Sequence, residues 1–143
     1  MIRAFEERDL GVVMQIWLDA NIEAHPFVPR EYWTSNYELV HDMLPQAEVY
    51  VFEDDVLHQL DGFIGLSDGY IAGVFVRSHV RSKGIGKHLL DYVKSLKPCL
   101  SLNVYRKNTR AVQFYQREGF TIQSENTDEG TGQREYMMVW SRE

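Results

Sequence analysis

A single cysteine, Cys99, leaves no internal disulfide to staple the chain, which suits a reducing compartment. The five histidines are scattered, so no Cys/His group has the spacing of a zinc site and no metal is expected. No apolar run is long enough to span a bilayer. The opening Met1-Ile-Arg-Ala-Phe-Glu lacks the apolar core of a signal peptide, and the expectation is a cytoplasmic protein with no membrane partner. Prolines number only four, and no linker, internal repeat or low-complexity tract divides the chain. What is present is ample core material, 44% hydrophobic and 13% aromatic, so residues 1–143 read as one globular domain.

Bases are scarce outside the middle of the chain. Residues 69–117 hold ten Lys/Arg against one acid, Asp91, for a net +9; the remainder sums to −15. A solvated basic face or a nucleic-acid module would give such a segment. A polyanionic cofactor held by one half, with a cationic substrate drawn to the other, also fits. The second reading is preferred, because the bases surround a turn suited to phosphate, and no nucleic-acid partner is expected.

That turn lies within Tyr70-Ile-Ala-Gly-Val-Phe-Val-Arg-Ser-His-Val-Arg-Ser-Lys-Gly-Ile-Gly-Lys-His-Leu-Leu90. Tyr70–Val76 reads as a buried strand, and Ile85, Leu89, Leu90, Val93 and Leu96 recur near helical spacing. Gly84 and Gly86 permit a sharp turn and close backbone approach by a ligand. The helix start adds unpaired N–H groups and the positive end of the dipole, and together these make an anion seat. The dinucleotide fingerprint fails, because Leu89 stands where its third glycine belongs. The nucleotide P-loop fails too, because His88 follows Gly86-Lys87 and Arg81 replaces the first glycine.

The rest of the chain predicts the order β α α β β β α β α β β, an α/β mixed sheet with a parallel crossover around the central helix. Strands are expected at Ile2–Phe5, Val49–Phe52, Gly62–Leu66, Tyr70–Val76, Leu100–Tyr105, Phe120–Ser124 and Arg134–Trp140. Asp9 is placed to cap a helix carrying Leu10, Val13, Met14, Trp17 and Ala20. Pro29 opens a second with an apolar stripe of Tyr32, Trp33, Leu39, Val40, Met43 and Leu44, stopped by Pro45. Thr109–Glu118 forms the last helix, closed by Gly119.

Arg81-x-x-Gly84-x-Gly86 resembles the pyrophosphate-binding motif of the GCN5-related N-acetyltransferases (GNAT). Asn108-x-x-Ala111-x-x-Phe114-Tyr115-x-x-x-Gly119-Phe120 resembles the other half of that family's cofactor site. His25-Pro-Phe, Tyr32-Trp33, Phe75-Val76, Val104-Tyr105-x-Lys-Asn108 and Ala111-Val-x-Phe-Tyr-Gln116 bring the likeness closer to the bacterial YiaC- and YjaB-type acetyltransferases. Two departures stand out: Arg81 replaces a frequent glutamine, and Tyr70 replaces a phenylalanine. The resemblance implies a GNAT-type twisted sheet of about seven strands with four helices.

It also implies an N-acetyltransferase moving the acetyl group of acetyl-CoA to a primary amine by direct attack, a protein or peptide lysine being the preferred acceptor. A small-molecule amine or amino-acid acetyltransferase and a non-catalytic acetyl-CoA-binding regulator are the alternatives. The chain is expected as a monomer or homodimer. The cofactor residues implied are Val74, Phe75, Val76, Arg81, Ser82, Lys83, Gly84, Ile85, Gly86, Lys87, Asn103, Asn108 and Tyr115. Tyr115 faces the departing sulfur as the catalytic acid; with an ordinary phenol pKa near 10 it remains a neutral donor. Phe114 reads as plain core. His25, Phe27, Trp33 and Tyr70 are the implied acceptor-side residues. The base is left open among His25, Asp68 and Glu23. Glu23, Glu31, Asp68, Glu125, Asp128 and Glu129 give the acceptor side its negative field.

Overall fold

A computed structural model describes residues 1–81 and 83–142. The elements follow the expected order: β1 (Ile2–Ala4), α1 (Leu10–Ala24), α2 (Arg30–Met43), β2 (Glu48–Glu53), β3 (Leu60–Ser67), β4 (Tyr70–Val76), α3 (Ile85–Leu96), β5 (Cys99–Tyr105), α4 (Thr109–Arg117), β6 (Thr121–Thr127) and β7 (Arg134–Ser141). The described strands join in one twisted mixed sheet, ordered β1-β2-β3-β4-β5-β7-β6. All neighbours are antiparallel except β4 and β5, which α3 connects as a parallel crossover. Among the described residues no helix is long and apolar enough to cross a membrane.

Two cores cover the two faces. On one, Leu89, Leu90 and Val93 of α3 and Val112 and Tyr115 of α4 pack on Ile64, Leu66, Ile71, Leu102 and Met138. On the other, Val13, Met14, Ile16 and Trp17 of α1 pack on Val49, Val51 and Phe63. Covered from both sides, β3 is buried from Leu60 through Leu66, which is why Gly62–Leu66 runs without polar alternation.

The strand at the centre of the site is irregular. Gly65 pairs with Gly73 and Leu66 with Ile71, so Ala72 is one residue extra and β4 bends there. On its other side β4 pairs with β5 only through Tyr70↔Ser101 and Ile71↔Leu102. Beyond Ile71 the two parallel strands part. The bulge also shifts the alternation, so Tyr70 and Phe75 reach the α1 face while Ile71, Val74 and Val76 join the α3 core.

Two local expectations need correction. Asp9 stands at the start of α1 but makes no side-chain cap to it. Its buried carboxylate accepts from the Arg3 guanidinium at 2.9 and 3.0 Å and from the Glu6 amide at 2.8 Å. A charge-assisted pair outweighs a neutral cap at a site this dry. The stripe expected from Tyr32 to Leu44 is only partly covered: Trp33 and Leu44 are buried and Tyr32 and Val40 half-buried, whereas Leu39 and Met43 are 58% and 59% exposed. α2 packs on α1 rather than on the sheet, and a helix laid on a helix covers only a narrow seam.

Candidate active site

The parting of β4 and β5 opens a cleft of about 940 Å³ through the sheet, a volume typical of small-molecule sites. At one mouth lies the start of α3. Gly84 precedes it with φ of 84°, a left-handed conformation natural to glycine, and the first turn carries no acid and no side-chain cap. Its N–H groups therefore remain for a ligand. A Cβ on Gly86 would stand 3.4 Å from the Phe114 ring, so glycine leaves the backbone open where helix and ring approach.

Arg81 and Arg110 both line this mouth, and burial with the charge of Arg110 pulls the Arg81 guanidinium below its ordinary pKa. Two arginines held together attract an anion. Arg81 itself pairs with Glu23 of α1. Lys87 lines the cleft with its ammonium tied to Asp91 at 3.3 Å and Glu118 at 3.0 Å. Lys83 is exposed and is not among the lining residues; Ser82 lies outside the described residues.

Val74, Phe75, Val76, Ile85, Asn103, Asn108 and Tyr115 line the middle. The Tyr115 side chain is buried beside Phe114 and Phe120, with ring centroids 5.2 and 5.7 Å away. Burial pushes its phenol well above the usual tyrosine range, and the nearby Tyr70 adds to the shift. Phe114 is half-buried and packs against the α3 core, and it also lines the cleft. Asn108 caps α4 by accepting from the Ala111 amide at 3.2 Å, and its own amide lies 3.3 Å from His25 Nε2.

The far mouth is aromatic and acidic. Asn103 donates to the Tyr70 hydroxyl at 3.1 Å. His25 stacks on Trp33 at 5.2 Å with its edge toward Tyr105 at 5.1 Å. Burial lowers the imidazole pKa, and both His25 Nδ1 and the Trp33 indole N–H are buried without a partner among the described residues. Phe27 does not line the cleft; it packs behind, 5.6 Å from both His25 and Tyr105.

Of the candidate bases only His25 lines the cleft. Glu23 is engaged by Arg81, and Asp68 sits in the exposed turn between β3 and β4 at φ of 53°. Glu31 and Glu129 are exposed, and Glu125 is neutralised by Arg106 and Arg134 at 2.8 and 2.9 Å. Asp128 does line the cleft, and with it a residue the sequence reading missed, Glu135. Burial and then the charge of Asp128 raise the Glu135 carboxyl above the ordinary glutamate value. In sequence Glu135 is a polar position before Tyr136, Met138 and Trp140, which reads as solvated strand. In the fold it is half-buried and lies within reach of the Asp128 charge.

A model of the acetyltransferase (GNAT) domain matches residues 45–122. Peptidyl-lysine N-acetyltransferase YiaC of Escherichia coli (strain K12) is 35% identical over 142 residues, 98% of this chain and 96% of that protein. Peptidyl-lysine N-acetyltransferase YjaB of Salmonella typhimurium is 33% identical over 121 residues, 85% of this chain and 83% of that one. Among solved structures, apo-form YjaB from Escherichia coli superposes with a TM-score of 0.87 at 28% identity, covering 98% of this chain and 96% of the other. The PaiA N-acetyltransferase from Thermoplasma acidophilum, in complex with coenzyme A, shares the fold with a TM-score of 0.81 at 18% identity, over 99% and 98% of the two chains.

Proposed function

The chain belongs to the GCN5-related N-acetyltransferase family and is an acetyl-CoA-dependent N-acetyltransferase; from that premise we propose that its acceptor is a lysine side chain of a protein or peptide, and that residues 1–143 act as one catalytic domain. One observation carries the reading. The cleft crosses the sheet with an anion seat at one mouth and two carboxylates, Asp128 and Glu135, at the other. A phosphate-bearing donor suits the first and a cationic amine on a flexible stem the second. The names of the relatives at 35% and 33% identity, both peptidyl-lysine N-acetyltransferases, support the same acceptor.

Acetyl-CoA supplies an acyl group on a good leaving thiolate. Its pyrophosphate fits the start of α3, where Gly84 and Gly86 leave the backbone bare and Arg81 and Arg110 converge. Arg81, paired with Glu23 in this structure, would turn to hold the phosphates. Where β4 leaves β5, the Val74–Val76 edge has main-chain groups free of that strand, able to hold the pantetheine arm and to polarise a carbonyl. Tyr115 holds a proton at its hydroxyl against the departing sulfur. Its raised pKa keeps that proton in place at working pH. Tyr70 and Trp33 offer flat apolar walls to a methylene stem. Bringing donor and amine together in one cleft supplies much of the acceleration.

The test is acetylation by the purified chain of lysine peptides, free lysine and polyamines, read by thiol release and by mass of the product. Lysine peptides are expected to give the highest kcat/KM. A second reading, a small cationic amine as acceptor, also draws on the two carboxylates, and a polyamine outrunning the peptides would establish it instead. Absence of thiol release with every amine would mean binding without turnover.

A further inference from the structure

We propose that Glu135 is the general base of the transfer, taking a proton from the acceptor's ammonium, with Asp128 beside it as a fixed counter-charge. The proposal rests on a primary amine being the acceptor. Geometry places the two acids there. Glu135 is the cross-strand partner of Tyr105 in the β5–β7 ladder, and partners in an antiparallel ladder share a face. That face is the one carrying Asn103 and Tyr70, so Glu135 looks into the acceptor mouth.

The two carboxylates are held differently. Asp128 is occupied: Oδ2 accepts from the Tyr105 hydroxyl at 2.6 Å and Oδ1 from the Gly130 amide at 3.0 Å. Glu135 makes no hydrogen bond or ion pair with any described residue, and its burial and Asp128 both favour the protonated form. Of two neighbouring carboxyl groups, one anchored by hydrogen bonds and one open to the cleft, the open one is placed to carry a proton. From the other packed elements, the titratable groups facing Glu135 are Tyr32 of α2, Tyr70 of β4 and Tyr105 of β5, all phenols pushed upward and so neutral. The nearby guanidiniums of Arg106 and Arg134 are both taken by Glu125. Among the described residues no cation pairs with the Glu135 carboxylate, and an ammonium would.

The step balances as follows. The acceptor R–NH3⁺ gives one proton to a Glu135 oxygen and becomes R–NH2. The nitrogen lone pair forms the new N–C bond while the C–S bond breaks, and Tyr115 passes its hydroxyl proton to the sulfur. The nitrogen's surplus proton restores Tyr115, and Glu135 releases its own to solvent. The net products are the amide, the free thiol and one proton.

Glu135→Gln keeps the shape and removes the base. The expected result is a fall in kcat/KM at pH 7 of roughly a hundredfold, shrinking as the pH rises toward 10, where the free amine needs no base. A loss equal at every pH, or no loss, overturns the proposal. A donor-free measurement stands beside it: carboxyl NMR titration of the protein alone, with the Glu135 signal identified by its absence in Glu135→Gln. It should titrate above ordinary glutamates; an ordinary value overturns the proposal. Thermal melting of the variant separates a lost base from a lost fold, and if the variant melts early, Glu135→Asp, which keeps the carboxylate, must restore the pH profile. If the parent ignores lysine peptides but acetylates another primary amine, the lysine reading fails, and the same pH comparison on that amine still decides Glu135.

Discussion

Tyr115 and His25 are both cleft residues whose burial sets their protonation. For Tyr115, burial raises the phenol, so the proton stays on through the working range. Tyr115→Phe keeps the ring between Phe114 and Phe120 and deletes only the hydroxyl. A drop in kcat of roughly 10²-fold, with acetyl-CoA affinity nearly unchanged, is expected from steady-state kinetics and direct titration. An unchanged kcat would return Tyr115 to a packing role. His25 shows the opposite sign. Its folded pKa is lowered by burial, so as pH falls through about 6.5 the unfolded chain gains a proton that the folded one refuses. Stability is therefore fully present above that value and declines on acidification. Urea midpoints at pH 7.5 and pH 5 should differ less in His25→Gln than in the parent.

At the scale of elements, the decisive feature is that β4 keeps β3 and lets go of β5. Gly62 makes the first possible: a Cβ there would meet the Phe75 carbonyl oxygen at 2.7 Å, closer than the sheet tolerates. Gly62→Ala should cost about 1–3 kcal/mol in chemical denaturation, because backbone and not a mobile side chain must yield. The helix start after β4 separates two kinds of glycine. Gly84 has open space but φ of 84°, so an alanine there is strained by about 1–2 kcal/mol. Gly86 has an ordinary φ but faces Phe114 and Val74 at 3.4 and 3.9 Å. Gly86→Val should therefore raise the acetyl-CoA KM by tenfold or more with the melting temperature little changed. A folded variant with the parental KM would remove this turn from the donor site.

Taken as a whole molecule, the split between a +9 segment and a −15 remainder is partly cancelled by pairs formed across it. Lys97 meets Glu48 at 3.0 Å, Arg106 meets Glu125, and Arg81 meets Glu23. At the cleft the signs stay sorted: Arg81 and Arg110 line one mouth, Asp128 and Glu135 the other, and the exposed Glu129 follows Asp128 in the chain. Asp128 also organises its loop, so Glu129→Lys is the cleaner probe of the field. It should raise the KM for a lysine peptide about threefold at low salt. The difference should fade near 0.15 M salt, where screening acts over about 8 Å.

The order of elements, the parallel crossover and the glycine turn before α3 were legible in the sequence because each is a local property. Periodicity marks the strands and helices, Gly84 and Gly86 mark the turn, and Asn108 through Tyr115 occupy consecutive turns of one helix. At the far mouth the resemblance implied His25, Trp33 and Tyr70 and the charge pattern Asp128, but only the tertiary structure set Tyr105 and Glu135 beside them. His25, Trp33, Tyr70, Tyr105, Asp128 and Glu135 come from α1 and its loop, α2, β4, β5, the last loop and β7. No periodicity links them. The same reason explains the fates of Glu23 and Asp68, plausible bases by composition that the fold assigns to an arginine and to an outside turn. A carboxylate's role depends on the charges and burial that distant segments bring to it, and those are fixed only when the chain closes over the gap between β4 and β5.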